Sequence, residues 1–584
     1  MSYSVVWFKR DLRLHDHAAL TQAASHGPLL CLYVIEPSLW AQPDAARQHY
    51  EFMLESLREL SRALKSLGGR LHVRTGEVPE VLAQLHALAP FAQLLSHEET
   101  GNALSFARDK AVARWCRAQG VVWQEFAQFG VVRRLQDRNH WHRHWLAHTQ
   151  AAQLPSPASV QCCTLDGVSK TDEFLALARR KPQQYPQVSR GFATTPESEM
   201  HGFKCRIACN TAPGALQFQA SPWPAQPVPT AQALGLDAWD PAERQRGGCS
   251  NARAVLDDFL LDRCRQYRGG ISSPLSAPSA CSRLSPYLSF GCLSLRQVVQ
   301  ATELRILQLQ EHSAHAAKGL EAFLSRLHWH CHFIQKLESE PELEWRNVHR
   351  GYDGLREPDW NPAHFDALTQ GRTGWPMVDA CVAMLHHTGW LNFRMRAMLV
   401  SVASYPLWLH WQPVGLWLAR QFLDYEPGIH WSQMQMQSGT TGINTTRVYN
   451  PIKQAQDHDP KGVFVRRWCP ALRRVPDSWL FEPWRMPESV QQACGVRVST
   501  DACAGAAGAW PLPLVELEAA TRAAKDRLHS LRRMPEVRAG KAAIVEKHAS
   551  RKGLVSRAQQ PGQAGRQPNR ARDAASLQMS LGFD

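Results

Sequence analysis

Hydrophobic and polar positions over residues 1–140 alternate in a way that predicts short strands separated by amphipathic helices. Four apolar runs are typical of buried strands: YSVVWFK, PLLCLYVI, RLHVRTG and AQLLSHE. Between the second and third of them, HYEFMLESLRELSRALKSLGG carries apolar residues at helical spacing. Strand–helix alternation predicts an α/β domain with a mostly parallel, doubly wound sheet, which binds ligands at the carboxyl ends of its strands. No G-x-G-x-x-G follows the first strand, so ordinary dinucleotide binding is not predicted.

The pattern changes twice further along the chain. Residues 141–250 are rich in proline, serine, glutamine and alanine, which predicts an irregular interdomain connector. Over residues 251–490 the apolar spacing is helical almost throughout, and this predicts a large all-α domain. Residues 491–584 turn to alanine, arginine, glutamine, glycine and proline. That composition predicts a basic, largely disordered C-terminal extension.

Composition narrows the class of protein. The chain has 584 residues, 44% of them hydrophobic, but no apolar run of the ~18 residues that a membrane span needs. The order of charged and apolar residues at the N-terminus does not fit a secretory signal, so we expect a cytoplasmic protein. A monomer is the default oligomeric state.

Cysteine and histidine are abundant but show no metal-binding spacing. The 15 cysteines contain no C-x-x-C pair, which predicts scattered reduced thiols. Among the 26 histidines, His328, His330 and His332 alternate, and on a helix they would point in different directions. We therefore predict no metal site.

Positive charge is concentrated near the C-terminus. The net charge is +14, and residues 521–572 hold 14 Lys and Arg against 3 Asp and Glu. The rest of the chain is close to neutral. A solvated tail is one interpretation of this segment, and a weak, salt-sensitive contact with nucleic acid is the other.

The stretch GRTGWPMVDACVAMLHHTGWLNFRMRAM, residues 371–398, places helix ends beside arginines and aromatic rings. A glycine–proline turn precedes a helix with Asp379 near its start. A second turn at Gly389 leads into a helix that carries Arg394 and Arg396. Because helix N-termini and arginines favour phosphate and aromatics pack planar rings, the stretch predicts a site for a flat, anionic cofactor. An ordinary helical hairpin is the alternative.

Five segments, in order, carry a resemblance to a known family. They are SVVWFKRDLRLHDHAAL, CSRLSPYLSFGCLSLRQV, FLSRLHWHCHFIQKL, DWNPAHFDALTQGRTGWPMVDACVAMLHHTGW and RVYNPIKQAQDHDPKGVFVRRWCPAL. Together they resemble the DNA photolyase/cryptochrome family over about 1–140 and 250–485. The resemblance implies an α/β antenna domain followed by a large all-α domain that binds FAD. It also implies a second chromophore in the antenna domain. The identity of this chromophore is open among a folate, a deazaflavin and a flavin.

The resemblance implies a light-driven activity on DNA. In photolyases a reduced flavin gives an electron to a UV-induced pyrimidine lesion, while the protein supplies position and electrostatics. Repair of cyclobutane pyrimidine dimers is therefore the expected function. The alternatives are a cryptochrome-type blue-light receptor that acts through a signalling partner, and repair of the (6-4) photoproduct. For the last, His328, His330 and His430 are the candidates to face the lesion.

The resemblance also implies site residues. Those for FAD are Tyr267, Cys281, Ser282, Arg283, Leu284, Ser285, Arg396, Asp424 and Glu426. Ser282 to Ser285 would meet the pyrophosphate, with Cys281 where the family usually has threonine. Arg396 would lie beside the flavin ring with Asp424 as its partner. No residue is assigned to face flavin N5.

The resemblance implies two further sets of residues, one that contacts DNA and one that transfers electrons to the flavin. The implied DNA-contacting residues are Trp329, Arg326, Phe393 and Arg394. Trp329 would stack on the lesion, whereas family photolyases often have glutamate at the place of Arg326 and asparagine at that of Phe393. The implied electron-transfer chain starts with Trp431 nearest the flavin and continues to Trp411, and Trp345 and Trp360 compete for its distal place.

Overall fold

The N-terminal domain is built on one parallel sheet. The computed structural model describes residues 3–163, 226–310, 313–444, 447–500 and 508–548. Within this domain the strands lie in the order β3-β2-β1-β4-β5, with β1 (Ser4–Phe8), β2 (Leu29–Ile35), β3 (Leu71–Thr75), β4 (Gln93–His97) and β5 (Val122–Phe126). The helices of this domain are Ala18–His26, Pro37–Trp40, Arg47–Ser66, Val78–Leu88, Ala103–Gln119 and Trp141–Gln150. All four strand pairings are parallel, which confirms the predicted doubly wound sheet.

Both faces of the sheet are covered, as expected for a parallel sheet with helical crossovers. Phe8 of β1 packs into a core that includes Phe52, while its neighbour Trp7 packs into a second core on the opposite face with Leu82. The sequence pattern does not predict β5. This strand lies at the sheet edge and is only partly buried, so its apolar pattern is weak.

The second domain is helical, as predicted. Its helices are Cys249–Asp258, Cys264–Gly270, Ala277–Ala280, Ser285–Ser289, Leu295–Gln310, Ala314–Ser339, Pro362–Thr369, Pro376–Thr388, Phe393–Ser404, Trp411–Gln421, Pro427–Ser438, Pro451–His458, Val463–Trp468 and Glu488–Cys494. Proline often occupies the first helical turn, where its missing N–H costs nothing. Gly389 and Gly439 end their helices in the left-handed conformation, which glycine adopts without strain.

The two domains share a continuous hydrophobic core. Phe8 and Phe52 of the first domain belong to the same cluster as Tyr287 of the second. At this junction Gly291 has a positive φ of 66° and lies so close to the Arg10 backbone that a Cβ would clash with it. The close approach places the carboxyl ends of β1 and β4 directly against the helical domain.

The C-terminal extension departs from its predicted disorder. Residues 517–548 form the helices Leu517–Arg533 and Pro535–His548, and a parallel strand pair joins Arg497–Ser499 to Ala509–Pro511. The helices fold because buried positions, such as Leu528, recur on the face that packs on the helical domain. Residues 549–584 and, in the predicted connector, 164–225 lie outside the described part of the chain.

Within the described ranges no helix combines the length and apolar character that would let it cross a bilayer.

Candidate functional site

The helical domain contains a cavity of about 320 Å³ where many of the predicted residues meet. Its lining residues are Tyr267, Ile271, Ser272, Cys281, Ser282, Arg283, Ser285, Arg326, Trp329, His330, Phe333, Trp390, Leu391, Asn392, Phe393, Arg394, Arg396, Asp424, Ile429, Gln433, Met436, Gln437, Asn444 and Arg447. The set contains seven of the nine residues expected to bind FAD and all four expected to contact DNA. The group expected to bind FAD and the group expected to contact DNA therefore share one cavity.

The turn before the Ser285–Ser289 helix forms one end of the cavity. Arg283 has a positive φ of 62°, and its guanidinium carbon lies 3.9 Å from the centre of the Trp390 ring. Burial lowers the pKa of Arg283 to about 10, although Cys281 and Asp424 act in the opposite direction. The guanidinium therefore stays charged at neutral pH. Together with two serine hydroxyls it forms a surface suited to an anionic group.

Leu284 is the exception within this turn. It is buried in the hydrophobic core and does not line the cavity. Its predicted contact with the cofactor is therefore indirect. It anchors the turn from behind, while the neighbouring serine side chains face the cavity.

Arg396 and Asp424 form a fixed pair in the cavity wall. The guanidinium donates to both carboxylate oxygens at 2.9 and 3.0 Å, and its Nε donates to the Leu391 carbonyl at 2.7 Å. Ser285 Oγ donates to the same carboxylate at 2.6 Å. Burial by itself would raise the pKa of Asp424, but Arg396 and Ser285 outweigh it and lower that pKa below its ordinary value. The pair thus presents one fixed positive group with its counter-charge behind it.

Glu426 lies away from this cavity. Its carboxylate is 3.4 Å from Arg10 Nη2 and lines a small polar cavity at the domain junction with Asp11 and His97. The chain turns at Leu423 and Asp424 and enters the Pro427–Ser438 helix directly after Glu426, so the two carboxylates face different cavities. Burial raises the pKa of Glu426 to about 7, and Arg10 offsets part of this rise. The structure does not bring Glu426 together with the other residues expected to bind FAD.

The Ala314–Ser339 helix supplies the opposite wall of the cavity. Arg326, Trp329, His330 and Phe333 all line it. The Trp329 and Phe333 rings are stacked with centroids 5.6 Å apart, as residues four apart on a helix can be. Burial lowers the pKa of His330 to about 4, so this imidazole is neutral at pH 7. The wall therefore offers an aromatic face with a cationic edge.

The three histidines considered as lesion contacts, His328, His330 and His430, point in different directions. His330 faces the cavity, whereas His328 packs against Trp141 and Trp145 with centroids 4.8 and 5.0 Å away. His430, on another helix, is bonded to the Gly415 carbonyl at 2.9 Å. Only one of the three histidines considered from the sequence is therefore a cavity residue.

The predicted tryptophan chain lies behind the cavity wall. Ile429 and Gln433 face the cavity from the Pro427–Ser438 helix, and Trp431 is midway between them, so it points to the other side. There its ring meets Trp411 edge-on at 5.9 Å. The structure thus brings these two tryptophans into contact, one layer away from the cavity.

The two candidates for the distal place differ in environment. Trp360 packs against the hydrophobic cluster that contains Trp411 and Trp431. Trp345 is 42% exposed and lies outside that cluster. Trp411 Nε1 does donate to Asn347, close to Trp345 in the chain, at 2.8 Å. Packing against the same hydrophobic cluster therefore favours Trp360.

Sequence reasoning missed several cavity residues. Ile429, Gln433, Met436 and Gln437 all lie on one face of the Pro427–Ser438 helix. Their spacing of three and four residues was a signal that could have identified the face. Gln437 Nε2 donates to Gln433 Oε1 at 3.3 Å, so the two amides are oriented together.

Asn392 provides an independent sign that the cavity accepts a polar ligand. Its Nδ2 donates to the carbonyls of Ile271 and Ser272 at 3.0 and 2.8 Å. Its Oδ1 is buried and has no hydrogen-bond partner in the part of the chain that the structure describes. A buried acceptor of this kind costs free energy unless a ligand or water meets it. The residues present therefore fit a polar, anionic cofactor such as FAD.

A second cavity of about 160 Å³ lies at the carboxyl ends of the N-terminal strands. It is lined by Trp7, Phe8, Lys9, Arg10, Tyr33, Val34, Glu36, Leu39, Trp40, Asp44, Ala45, His49, Met53, Glu99, Gly101, Asn102, Ser105, Arg108, Phe290, Tyr425 and Pro427. Arg108 pairs with Glu36 at 2.9 Å and with Glu99 at 2.6 Å. This is the position where a doubly wound sheet binds ligands.

A buried cluster of Asp11, His17 and His97 brings three potential metal ligands together. Asp11 Oδ2 lies 2.7 Å from His97 Nδ1 and 3.0 Å from His17 Nε2. However, His17 Nδ1 accepts a hydrogen bond from the Leu20 amide. In neutral His17 the proton is then on Nε2, facing Asp11, and no lone pair remains there for a metal. The arrangement favours a hydrogen-bonded cluster.

Comparisons with known proteins agree with this geometry. Residues 4–134 match a family model described as DNA photolyase, and residues 323–530 match one described as the FAD binding domain of DNA photolyase. The deoxyribodipyrimidine photo-lyase of Vibrio cholerae is 26% identical over 503 residues, covering 83% of this chain and 93% of the relative. Cryptochrome DASH of Gloeobacter violaceus is 26% identical over 564 residues, covering 91% and 97%.

A solved structure has the same fold. The bacterial class III photolyase from Agrobacterium tumefaciens superposes with a TM-score of 0.70 and 24% identity, covering 91% of this chain and 98% of that chain. At this level of identity the likeness concerns the fold alone.

Proposed function

Because the chain belongs to the DNA photolyase/cryptochrome family and has its FAD-binding domain, we propose that it repairs cyclobutane pyrimidine dimers in DNA under blue light. The observation that carries the proposal is the shared cavity. Seven of the nine residues expected to hold FAD and the partly exposed Trp329 line the same space. A photolyase needs this adjacency, since the cofactor must meet the lesion directly.

The first task of the cavity is to hold FAD, which supplies the light-absorbing electron donor. We assign the pyrophosphate to the turn with Ser282, Arg283 and Ser285, where hydroxyls and a charged guanidinium converge. Arg396 is the positive group beside the ring, and its bidentate pairing with Asp424 prevents it from turning away. A fixed cation there favours a negatively charged flavin.

The second task is to hold the damaged base pair. A lesion must leave the duplex to enter a cavity, which costs less for a poorly stacked, damaged site. Trp329, stacked on Phe333, presents an aromatic face for the extruded bases. Base–aromatic stacking contributes roughly 1–3 kcal/mol per base. Arg326 and Arg394, on opposite walls, supply positive charge for the DNA strand.

The third task is to keep the cofactor reduced. We assign electron entry to the pair Trp411 and Trp431, whose rings are in edge contact and fully buried. Trp360 is the preferred outer member because it packs on the same cluster. In this arrangement oxidised Trp431 receives an electron from Trp411 and not from a reductant in the solvent.

The second cavity is the proposed site of an antenna chromophore. Its aromatic residues Trp7, Trp40 and Tyr33 suit a planar ring, and Arg108 supplies a buried cation. The chemical identity of the chromophore is open among folate, deazaflavin and flavin.

One observation favours a second candidate, repair of the (6-4) photoproduct. His330 lines the cavity next to Trp329, so an imidazole is available to a lesion in the same place. A blue-light receptor without repair activity is the remaining alternative. Its support is the departure of Arg326 and Phe393 from the residues common in family photolyases.

One experiment separates these candidates. Purified, FAD-loaded and reduced protein is illuminated with blue light in the presence of an oligonucleotide that carries either a cyclobutane dimer or a (6-4) adduct. We expect loss of the cyclobutane dimer only. Loss of the (6-4) adduct would replace the proposal by the second candidate. No loss of either lesion, with FAD bound, would favour the receptor.

A further inference from the structure

Tyr425 stands between the two cavities. Its neighbour Asp424 lines the large cavity, while Tyr425 itself lines the second cavity with Asp44 and His49. The backbone is held in place, because the Tyr425 carbonyl accepts hydrogen bonds from Arg10 Nη2 at 3.0 Å and from Ser289 Oγ at 2.9 Å. The phenol therefore has a defined position one residue from the proposed flavin site.

The Tyr425 hydroxyl has a carboxylate as its partner. It donates to Asp44 Oδ2 at 2.7 Å, and Asp44 is 5% exposed. Burial, and then the adjacent Asp44 charge, raise the pKa of Tyr425 well above its ordinary value. The group is thus a phenol whose proton already points at a base.

A path of touching rings leads from this phenol to the tryptophan pair. The Tyr425 and His430 rings are 5.2 Å apart in an edge contact, and His430 and Trp431 are 4.9 Å apart in another. Trp431 in turn meets Trp411 at 5.9 Å. His430 is neutral at pH 7, since burial lowers its pKa to about 4. The His430 ring therefore contacts both the Tyr425 phenol and the Trp431 indole.

We propose that Tyr425 is a redox-active residue that reduces oxidised Trp431 while passing its proton to Asp44. The inference rests on the proposed function, in which excited, oxidised flavin takes an electron from Trp431. The Trp431 radical cation then takes one electron from Tyr425. The phenolic O–H bond breaks, and its proton forms a bond to Asp44 Oδ2. The products are neutral Trp431, a neutral tyrosyl radical and a protonated Asp44.

The partner of the hydroxyl distinguishes Tyr425 from other buried tyrosines of this chain. Tyr50 donates to the carbonyl of Pro229, which is a very weak base. Tyr352 accepts from the Arg532 guanidinium, whose charge opposes loss of an electron. Tyr405 has no hydrogen-bond partner for its hydroxyl within the described ranges. Oxidation of a tyrosine at neutral pH requires a nearby base for its proton, and Asp44 supplies one.

The role proposed for Tyr425 is to keep the missing electron as a radical on a protein side chain, so that it is not quickly replaced by an electron from the flavin. Return of the electron from flavin to Tyr425 requires the proton to come back from Asp44 at the same time. The cofactor therefore stays reduced longer than it would with a bare Trp431 radical. A thiol or another soluble reductant later restores the phenol.

The test uses the FAD-loaded, oxidised protein with Trp411→Phe, which blocks the outward route. After a light flash, transient absorption and freeze-quench EPR follow the tryptophan and tyrosyl radicals. We expect a tyrosyl radical to form as the Trp431 radical decays, and more slowly in D₂O. Adding Tyr425→Phe should remove the tyrosyl signal, and Asp44→Asn should slow its formation. Tyr405→Phe is the matched control and should change neither.

The opposite results are equally specific. A tyrosyl signal that persists in Tyr425→Phe, or a Trp431 radical that decays without any tyrosyl signal, would overturn the proposal. The visible spectrum before the flash reports FAD binding, so loss of cofactor is recognised separately. Bound FAD without any light-induced tryptophan radical would reject both this inference and the proposed electron route.

Discussion

Arg396 and Asp424, 28 residues apart in the chain, are joined by two parallel hydrogen bonds of 2.9 and 3.0 Å in the wall of the large cavity. The carboxylate also accepts from Ser285, so one acid links the ring side of the cavity to the turn proposed for the pyrophosphate. The arrangement connects cofactor binding to fold stability. Both can therefore be tested with a single substitution.

The substitution Asp424→Asn should destabilise the protein and weaken FAD retention. The amide cannot accept both guanidinium bonds, which leaves the Arg396 charge without its full partner. Hydrogen bonds to charged groups contribute about 1.5–3 kcal/mol, and we expect a loss of that size in the free energy of unfolding. Urea denaturation and the flavin content of the purified protein measure the two effects.

The control for this substitution is Asp477→Asn, which also removes a carboxylate that pairs with an arginine. Asp477 is 83% exposed, and exposed pairs contribute little. Equal losses in the two variants would contradict the proposed importance of the Asp424 pair.

Replacing Trp411 by Phe should slow photoreduction of the flavin. The buried Trp411–Trp431 contact is the proposed inner part of the electron route, and phenylalanine preserves packing without being readily oxidised. We expect a decrease of roughly tenfold or more, equivalent to about 1.4 kcal/mol in the barrier. The decay of oxidised-flavin absorbance under blue light with a thiol donor measures it. Unchanged photoreduction would reject the route.

The distal place is decided by comparing Trp360→Phe with Trp345→Phe. Trp360 packs on the cluster that holds Trp411, whereas Trp345 is largely outside it. Trp360→Phe should therefore slow photoreduction, and Trp345→Phe should leave the rate close to that of the parent protein. The reverse order of effects would transfer the distal role to Trp345.

Trp329→Ala should weaken binding of damaged DNA selectively. Loss of one stacked base costs about 1–3 kcal/mol, which is roughly 5- to 150-fold in the dissociation constant. Fluorescence anisotropy with dimer-containing and undamaged duplexes of one sequence measures the difference. Trp345→Ala serves as the control for removal of an exposed indole. A similar loss with both duplexes would show that Trp329 does not read the lesion.

Glu426→Gln should change the pH dependence of stability. Burial raises the pKa of Glu426 to about 7 in the folded protein, so between about pH 4.5 and 7 the folded state binds a proton that the unfolded state releases. Stability of the parent protein therefore falls as pH rises through this window. Glutamine cannot ionise. As pH rises through this window, the free energy of unfolding of the variant should therefore increase relative to that of the parent protein, by at most about 3 kcal/mol.

Urea denaturation at pH 5 and pH 8 gives this difference directly, because other titrating groups cancel between parent and variant. Glu342→Gln, at a partly exposed glutamate of the helical domain, is the matched control. A stability difference that is the same at both pH values would contradict the proposed protonation of Glu426.

Much of the fold follows from local pattern. Four of the five N-terminal strands, the helical character of the second domain and the helix ends around residues 371–398 are all visible as periodicity and turn residues in the sequence. The edge strand β5 is not visible, because its residues are only partly buried. The helices of residues 517–548 are also missed. Their apolar face is sparse and becomes informative only when Tyr352 and Tyr405 pack against it.

The features of the candidate site also fall into two groups, those indicated by the sequence and those that depend on the packing of the folded chain. Through its resemblance to the photolyase/cryptochrome family, the sequence indicated the turn at residues 281–285, the partners Arg396 and Asp424, and the aromatic position Trp329. Packing of the folded chain turned Glu426 toward Arg10 and placed His330, and not His328, at the cavity. It also brought Asp44 to Tyr425 across 381 residues. Side-chain direction and contacts between distant segments depend on how whole elements pack, and local periodicity does not encode that packing.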